Sequence, residues 1–244
     1  MKSKLFILTA AMVSAMTLSS CLGDSEDFDY PDYERIVTVG SGATKLLSDD
    51  NIILKPVNTI TGLDKVERAV VSFHMYPKNL KGTELKEGET YDVELDPTFS
   101  YSVPTSAVIN LRNNEVAKDS LVNTQTPIIN VAGMNVKNGY LTASLIFAMR
   151  QYAPYYVDMA YDSETDVDLE TNTITFTLYY DNKSVTSNTQ VKYPFCFRMP
   201  AALYLKFKDA SSINVVLRFM QGIGGEMGEM RCTMKPEDFN IPNF

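Results

Sequence analysis

Apolar residues recur at every second position along most of this chain, and this spacing is typical of half-buried strands rather than helices. In the first half, Val71, Phe73 and Met75 alternate with polar residues. In the second half the alternating runs are longer, and their apolar positions fall within residues 141–147, 155–161, 174–180, 191–199, 203–207 and 213–219. The pattern predicts an all-β chain.

Strand length and one polar interruption divide the predicted strands into two domains. Five or six short strands suggest a small β-barrel over residues 34–112. Alternation lapses over residues 113–125, which are mostly polar, so we expect a linker there. The longer strands of residues 126–244 predict an antiparallel β-sandwich.

The N-terminal segment has the order of a secretory signal. Lys2 and Lys4 precede an apolar stretch, Leu5–Ala15, that is too short to span a bilayer as a permanent helix. The next residues, Leu18-Ser19-Ser20-Cys21, resemble the lipobox of bacterial lipoproteins, whose cysteine is acylated after the leader is cut away. We expect residues 1–20 to be a signal peptide and Cys21 to carry fatty acids such as palmitate; the alternative is an ordinary secretory signal with a chance cysteine.

Acidic residues dominate the segment that begins at Cys21. Residues 21–33 contain five acidic residues and no basic one, which predicts a solvated tether similar to that of surface-exported lipoproteins of the Bacteroidetes. Without Lys2 and Lys4, 20 basic residues face 30 acidic ones, a net charge of −10. This charge and the lack of a basic patch argue against nucleic acid and anionic lipid headgroups as partners.

Few residues are suited to catalysis or metal binding. His74 is the one histidine, and its place between Phe73 and Met75 predicts an outward-facing polar strand residue rather than a catalytic base. A structural zinc site needs about four clustered ligands, which Cys196, Cys232 and a single histidine do not supply. We therefore predict no enzymatic activity, no cofactor and no metal.

Two further clusters have simple structural interpretations. The glycine-rich run Gly222–Gly228 lacks the spacing of a dinucleotide fingerprint and the lysine of a phosphate loop, so a turn between strands is predicted. The alternating acids of Asp162–Glu170 could hold calcium, but Val167 stands where a calcium loop turns on glycine. A solvated strand edge is the favoured interpretation of these acids.

Tyrosines supply the candidate ligand-binding residues. Tyr152, Tyr155, Tyr156 and Tyr161 lie in one segment. By alternation Tyr155 and Tyr161 face the core, which leaves Tyr152 and Tyr156 outward, where tyrosine can stack on a sugar or fill a partner's pocket. The absence of tryptophan mildly disfavours a glycan-binding module.

The two cysteines of the folded part are not expected to form an essential disulfide. Cys196 shares a strand face with Lys192 and Arg198, whereas Cys232 shares one with Met230 and Met234. One thiol should therefore point outward and the other inward, and a direct cross-strand bridge needs a common face. A β-bulge that reverses one face remains the alternative.

The chain resembles the NigD-like lipoproteins of the Bacteroidetes. The resemblance rests on the lipobox, the acidic tether and four short segments: Asp50–Pro56, Val66–Phe73, Asn138–Leu141 and Leu178–Asn182. It implies an oligonucleotide/oligosaccharide-binding (OB)-like barrel followed by an immunoglobulin-like sandwich, and no established activity comes with it. A fimbrillin-like pilus lipoprotein shares the lipobox and two β-domains and is the competing resemblance.

These observations predict a protein that acts by binding. We expect a lipoprotein anchored in the outer membrane through Cys21, exposed at the cell surface and in contact with another protein. A glycan-binding accessory lipoprotein and a pilus-like structural subunit are the alternatives, with a hydrolase a weaker one.

Overall fold

The computed structural model describes residues 31–80, 82–112, 114–150, 155–183, 189–222, 224–242 and 244. The predicted signal peptide, Cys21 and most of the acidic tether lie outside these residues. The fold is predominantly β, as the alternating pattern predicts, and it divides into two compact units between Val103 and Pro104.

The first unit is a closed five-stranded barrel. Its strands are β1 (Tyr33–Val39), β2 (Leu46–Ser48), β3 (Ile53–Pro56), β4 (Arg68–Met75) and β5 (Thr90–Ser102). They are joined in the order β1-β2-β3-β5-β4, in which only β3 and β5 run parallel. This is the strand order of an OB fold, so the prediction of a small OB-like barrel is confirmed.

Alternation along the barrel strands fills the interior with aliphatic side chains. Val71, Phe73 and Met75 of β4 point inward and are almost wholly buried. They pack with residues from the other strands, among them Val37, Leu46, Leu54, Val93 and Leu95. The turn between β2 and β3 contains Asn51 at a φ of 59°, a left-handed conformation that asparagine tolerates better than most residues.

The outward face of β4 is polar and yet buried. Arg68 donates to Thr38 Oγ1 and Asp49 Oδ1, both at 2.7 Å. Ser72 Oγ donates to the Phe99 carbonyl at 3.1 Å. Because buried polar groups are costly unless they are hydrogen-bonded, these contacts allow the outer face of a barrel strand to be covered.

The second unit consists of two sheets. Their strands are β6 (Thr105–Ala107), β7 (Ile109–Asn110), β8 (Asn130–Lys137), β9 (Tyr140–Met149), β10 (Tyr156–Tyr161), β11 (Val167–Asp168), β12 (Thr173–Asp181), β13 (Thr189–Arg198), β14 (Ile213–Gln221) and β15 (Glu226–Met234). One sheet has the order β15-β14-β12-β10-β7 with β11 beside β12, and the other β6-β13-β9-β8. Most pairs are antiparallel, but β12–β14, β10–β7 and β13–β6 are parallel.

Inward-facing residues of the two sheets form one core. The ring centroid of Phe147 on β9 lies 5.2 Å from that of Tyr180 on β12 and 5.8 Å from that of Phe195 on β13. Ile174, Phe176 and other apolar residues extend the same core. The two-layer sandwich predicted from the longer alternating runs is therefore present.

The structure moves the domain boundary predicted at Arg112. Strands β6 and β7 pair with β13 and β10, so residues 105–110 belong to the sandwich and not to the barrel. The predicted linker, residues 113–125, contains an α-helix, α1 (Glu115–Asn123). The sequence pattern predicts a short strand over residues 106–111 but not the sheet in which it pairs, and a polar run fits an exposed helix as well as a linker.

The strand predicted over residues 203–207 is also wrong. This segment is a second helix, α2 (Ala201–Phe207), in which Leu203 and Phe207 are buried while Leu205 is 69% exposed. Residues four apart share a helix face, which explains the burial. Short 3-10 turns lie at Ser41–Ala43, Leu63–Lys65, Lys78–Leu80 and Pro236–Phe239. Within the described ranges, neither helix has the length or apolar character needed to cross a membrane.

Candidate binding cleft

The outer face of strands β10 and β12 carries tyrosines and aspartates at alternating positions. Tyr155, which directly precedes β10, and Met159 of β10 point into the sandwich core, so Tyr156 and Asp158 point away from it. The prediction that Tyr156 faces outward is consistent with this placement, whereas Tyr152 lies outside the described residues.

The register between the two strands sets each tyrosine opposite an aspartate. Tyr156 of β10 is paired with Asp181 of β12, and Asp158 is paired with Tyr179. Directly opposite residues on one sheet face are within contact distance of each other. The result is a patch of two phenol rings and two carboxyl groups in a crossed arrangement.

Helix α1 and the residues after it form the second wall. Ser120, Leu121, Thr124 and Gln125 face the tyrosine–aspartate patch across a cavity of about 170 Å³. The Thr126 amide donates to the Tyr180 carbonyl at 2.6 Å. We refer to this cavity, bounded by α1 and by the Tyr156–Asp181 and Asp158–Tyr179 pairs, as the cleft.

The helix that forms this wall contributes nothing to the core. None of the nine residues of α1, all within the described part of the chain, is buried. Its N-terminus is capped by Asn114, whose side chain accepts a hydrogen bond from the Ala117 amide. Beyond its C-terminus, Gln125 Nε2 donates to the Leu178 carbonyl at 3.4 Å. Hydrogen bonds from Gln125 and Thr126, just after the helix, therefore fix its C-terminal end beside the sheet, since apolar burial does not.

A lysine from the end of β12 reaches into the cleft. The Lys183 Nζ atom lies 4.4 Å from the centroid of the Tyr156 ring and 2.5 Å from Asp181 Oδ2. The Lys183 amide also donates to Asp181 Oδ1 at 2.7 Å. Lys183 has a φ of 57°, so the chain turns sharply after β12 and directs this side chain back over the strand pair.

Burial within the cleft disfavours ionised side chains. It raises the pKa of the Asp158 carboxyl, and the positive charge of Lys183 opposes this rise. Burial, together with the charge of Asp166, raises the pKa of the Tyr179 hydroxyl. The cleft thus offers ring faces, hydroxyl groups and acceptor oxygens, of which one carboxyl group is under a desolvation penalty.

Comparisons with known proteins identify the fold of this chain but not its family. No family model matches the chain, and no curated protein matches its sequence. Among solved structures, a NigD-like immunity protein from Bacteroides caccae superimposes with a TM-score of 0.58 at 15% identity, covering 84% of this chain and 97% of that one. The fold is that of NigD-like proteins. The resemblance predicted from the sequence is confirmed at that level.

Two other structures from the same bacterial group have this fold. A protein described as toxin-related, from Parabacteroides distasonis, has a TM-score of 0.59 at 14% identity, covering 84% of this chain and 94% of that one. A protein described as a lipoprotein, from Bacteroides fragilis, has a TM-score of 0.56 at 10% identity, covering 84% of this chain and 97% of that one. None of these three descriptions names an enzyme.

His74 is not the exposed residue that alternation predicts. It is 9% exposed, and its Nδ1 atom lies 3.2 Å from Asp32 Oδ2. Alternation correctly assigns it to the outer face of β4, but Asp32, which precedes β1, lies against that face. The histidine is therefore a partner in a buried contact of the barrel.

The glycine run and the acidic run have structural roles. Gly222 and Gly225, both with positive φ, form the turn between β14 and β15, as predicted. In the acidic run, Asp166 Oδ2 accepts from the Asp162 amide at 2.7 Å, and Asp168 Oδ1 accepts from the Glu170 amide at 2.9 Å. Across the described residues, no three His, Cys, Asp or Glu side chains converge as metal ligands.

The two cysteines lie in different sheets. Cys196 on β13 is buried, with its Sγ atom 3.2 Å from Thr142 Oγ1, and points away from the core side of Phe195 and Phe197. Cys232 on β15 packs against the core, and burial raises the pKa of its thiol to about 11. Both are reduced thiols in the structure. The sequence predicts an outward-facing Cys196; the residue is on that face but covered.

The sequence predicts the face on which Asp158 lies but not the positions of three other residues of the cleft. Asp158 follows Tyr156 by two positions, so alternation alone places it on the same face. Tyr179 and Asp181 are the out-of-phase residues of β12, but only the strand register sets them opposite Tyr156 and Asp158. The position of Lys183 depends on a left-handed turn residue, which nothing in the local sequence indicates.

Proposed function

We propose that this protein is a lipid-anchored envelope lipoprotein that acts by binding another protein through the cleft. The observation that carries the proposal is the two tyrosine–aspartate pairs, set opposite each other by the strand register, that line the cleft beside α1. Tyrosine provides large contact area at low entropic cost and is enriched among residues that dominate binding energy. An immunity protein and a toxin-related protein share the fold, and neither description implies catalysis.

The anchor is a separate part of the proposal. Cys21 would carry the lipid, and the acidic segment that follows it would act as a tether between the outer membrane and the barrel, with the folded units displayed at the cell surface. The tether is shorter than the predicted residues 21–33, because Tyr33 begins β1 and Asp32 contacts His74 of the barrel. The likeness of the fold to a protein described as a lipoprotein supports this assignment. Cys21→Ala should abolish labelling by a fatty-acid analogue and release the protein from the membrane fraction; retained labelling would refute the anchor.

Crosslinking in intact cells tests the binding site. The double variant Tyr156→Ala, Tyr179→Ala should lose its crosslinked partner, because two hot-spot residues contribute about 1–3 kcal/mol or more each. Tyr76→Ala is the matched control, since Tyr76 belongs to the barrel unit and is 49% exposed. A partner retained by the double variant, with normal stability, would overturn the proposed site.

A glycan is the second candidate ligand. Phenol rings beside carboxyl groups can stack on a sugar and accept its hydroxyl hydrogens, and Tyr156 with Asp181 offers that combination. Binding of the purified protein to a glycan array, lost in the same double variant, would favour this candidate over a protein partner.

A further inference from the structure

The chain places one of its own cations in the cleft. The Lys183 ammonium group lies over the Tyr156 ring and against Asp181, at 4.4 Å and 2.5 Å respectively. A cation over an aromatic face and beside a carboxylate is a favourable arrangement because both the ring quadrupole and the negative charge attract it. The observed contacts show that the cleft accepts a side-chain cation.

The charge of the cleft exceeds what this lysine neutralises. Asp158 and Asp181 both line the cavity, and Lys183 is the one basic residue among those that line it within the described part of the chain. A second cation, or a cation better placed than Lys183, would therefore be attracted, whereas an anion would be repelled.

The size of the cleft favours a single side chain. Its volume is about 170 Å³, below the roughly 300–1,000 Å³ typical of pockets that enclose whole small molecules. A guanidinium or ammonium group on its alkyl chain suits such a space, and the chain's own lysine already enters it. An oligosaccharide would have to lie largely outside the cavity.

We propose that the cleft binds one arginine or lysine side chain of the partner protein and that Lys183 is an internal occupant which this side chain displaces. This inference rests on the proposed function, because it assigns the chemistry of the partner at the same site. Arginine fits best: its planar guanidinium can stack on the Tyr156 ring while two of its N–H groups bind the Asp181 carboxylate.

Displacement of Lys183 is feasible because its contact is open to solvent. The Lys183 side chain is 45% exposed, whereas that of Asp181 is 14% exposed. An ion pair with one exposed partner is weakened by solvent screening. The lysine can therefore leave for water, and the carboxylate that remains is the part of the pair that needs a replacement.

Titration of the full-length protein in detergent with short blocked peptides tests the inference. The probes are acetyl-Gly-Arg-Gly-amide and the same peptide with citrulline, which has nearly the shape of arginine but no charge. The arginine peptide should bind at least about tenfold more tightly than the citrulline peptide, since charge-assisted hydrogen bonds are roughly twice as strong as neutral ones.

Substitutions of the cleft test whether Lys183 opposes binding of the cationic ligand. Lys183→Met should tighten binding of the arginine peptide by about threefold or more, because removal of a competing occupant raises the fraction of binding-competent cleft. Lys192→Met is the matched control: Lys192 is an exposed lysine on β13 of the other sheet, and its loss should leave the affinity unchanged. Asp181→Asn should weaken binding about tenfold through loss of the charged acceptor.

Three results would overturn the inference. They are equal binding of the arginine and citrulline peptides, no gain of affinity in Lys183→Met, and binding of a neutral oligosaccharide in place of both peptides. Failure of the peptide titration alone, with crosslinking still dependent on Tyr156 and Tyr179, would reject the cationic ligand and leave the proposed binding site intact. Loss of dependence on those tyrosines would reject the site itself.

Discussion

Two strand faces of this protein carry polar side chains opposite an apolar core, and they differ in how those side chains are satisfied. On β4 of the barrel, Arg68 and Ser72 are wholly buried and hydrogen-bonded within the fold. On β10 and β12 of the sandwich, Tyr156 and Asp158 are half-buried beside an open cavity. Polar side chains on the face of β4 form hydrogen bonds with other residues of the barrel. The face of β10 and β12 retains exposed ring faces and acceptor oxygens.

This difference separates structural polarity from polarity available to a ligand. Removal of one member of a buried ion pair is strongly destabilising, because the other member is left as an uncompensated buried charge. Asp158, by contrast, is a carboxyl group whose burial raises its pKa, so its ionised form is a cost to stability that a cationic partner can offset. Substitutions on the two faces should therefore have separate consequences for stability and for binding.

The largest expected effect is on the barrel face. Arg68→Ala should lower the free energy of unfolding by about 3–5 kcal/mol, because it leaves Asp49 without its buried cation. Arg35→Ala is the control: its ion pair with Asp50 has side chains 34% and 47% exposed, and exposed pairs contribute less than about 1 kcal/mol. Urea denaturation measures both, and similar losses would contradict the distinction.

Substitutions of two neighbouring tyrosines of β12, Tyr179 and Tyr180, should differ almost as much in their effect on the free energy of unfolding. Tyr180 is buried, its ring packs 5.2 Å from that of Phe147, and its hydroxyl donates to the Ala148 carbonyl at 2.9 Å. Tyr180→Ala should cost about 3–5 kcal/mol. Tyr179→Ala, on the cleft side, should cost less than about 1 kcal/mol while weakening partner binding. The reverse order in denaturation experiments would mean that the assigned faces are wrong.

A smaller effect is expected at the histidine of the barrel. His74→Ala should lower the free energy of unfolding by about 1–2 kcal/mol through loss of its contact with Asp32. Crosslinking to the partner should be unchanged, since the residue belongs to the structural face. Unaltered stability with reduced crosslinking would reverse its assignment and reopen a functional role.

The smallest expected effect is a gain of stability, from substitution of Asp158. Because burial raises the folded pKa of Asp158 above its ordinary value, the folded state binds its proton more tightly, and wild-type stability falls as the pH rises through the interval between the two pKa values. Asp158→Asn should therefore raise the melting temperature at pH 7 by on the order of 1–3 °C and lose this gain below that interval.

Asp168 is the control, because the pKa of its carboxyl is shifted in the opposite direction. Hydrogen bonds from the side chain and amide of Thr171 and the amide of Glu170 lower its pKa, so its ionised form stabilises the fold above its unfolded pKa, and this contribution is lost as the pH falls. Asp168→Asn should lower the melting temperature at pH 7. Thermal denaturation across pH is the measurement, and a destabilised Asp158→Asn would show that this carboxylate is structural.

Alternation predicts the strands well where they are long. Val71, Phe73 and Met75 point into the barrel, and Tyr155 and Met159 into the sandwich, as expected from period two. Leu203, Leu205 and Phe207 also alternate, but residues 203 and 207 are equally spaced for a helix face. A run of five residues does not separate the two periods.

The cleft is only partly predictable for a different reason. Tyr156 is assigned to the outer face by local alternation, but its neighbour Asp181 is 25 positions away in the sequence and is brought opposite by the register of β10 and β12. His74 shows the same limit: alternation gives the face on which a side chain lies, and the tertiary fold determines whether Asp32 covers that face.

Site-specific photocrosslinking tests the central claim most directly. A photoreactive phenylalanine analogue, placed at Tyr156 in the cleft or at Tyr76 on the barrel, is irradiated in intact cells, and the adducts are compared. We expect the probe at Tyr156 to capture one discrete protein and the probe at Tyr76 not to capture it. Capture of the same protein from Tyr76 but not from Tyr156 would contradict the assignment of the cleft as the binding site.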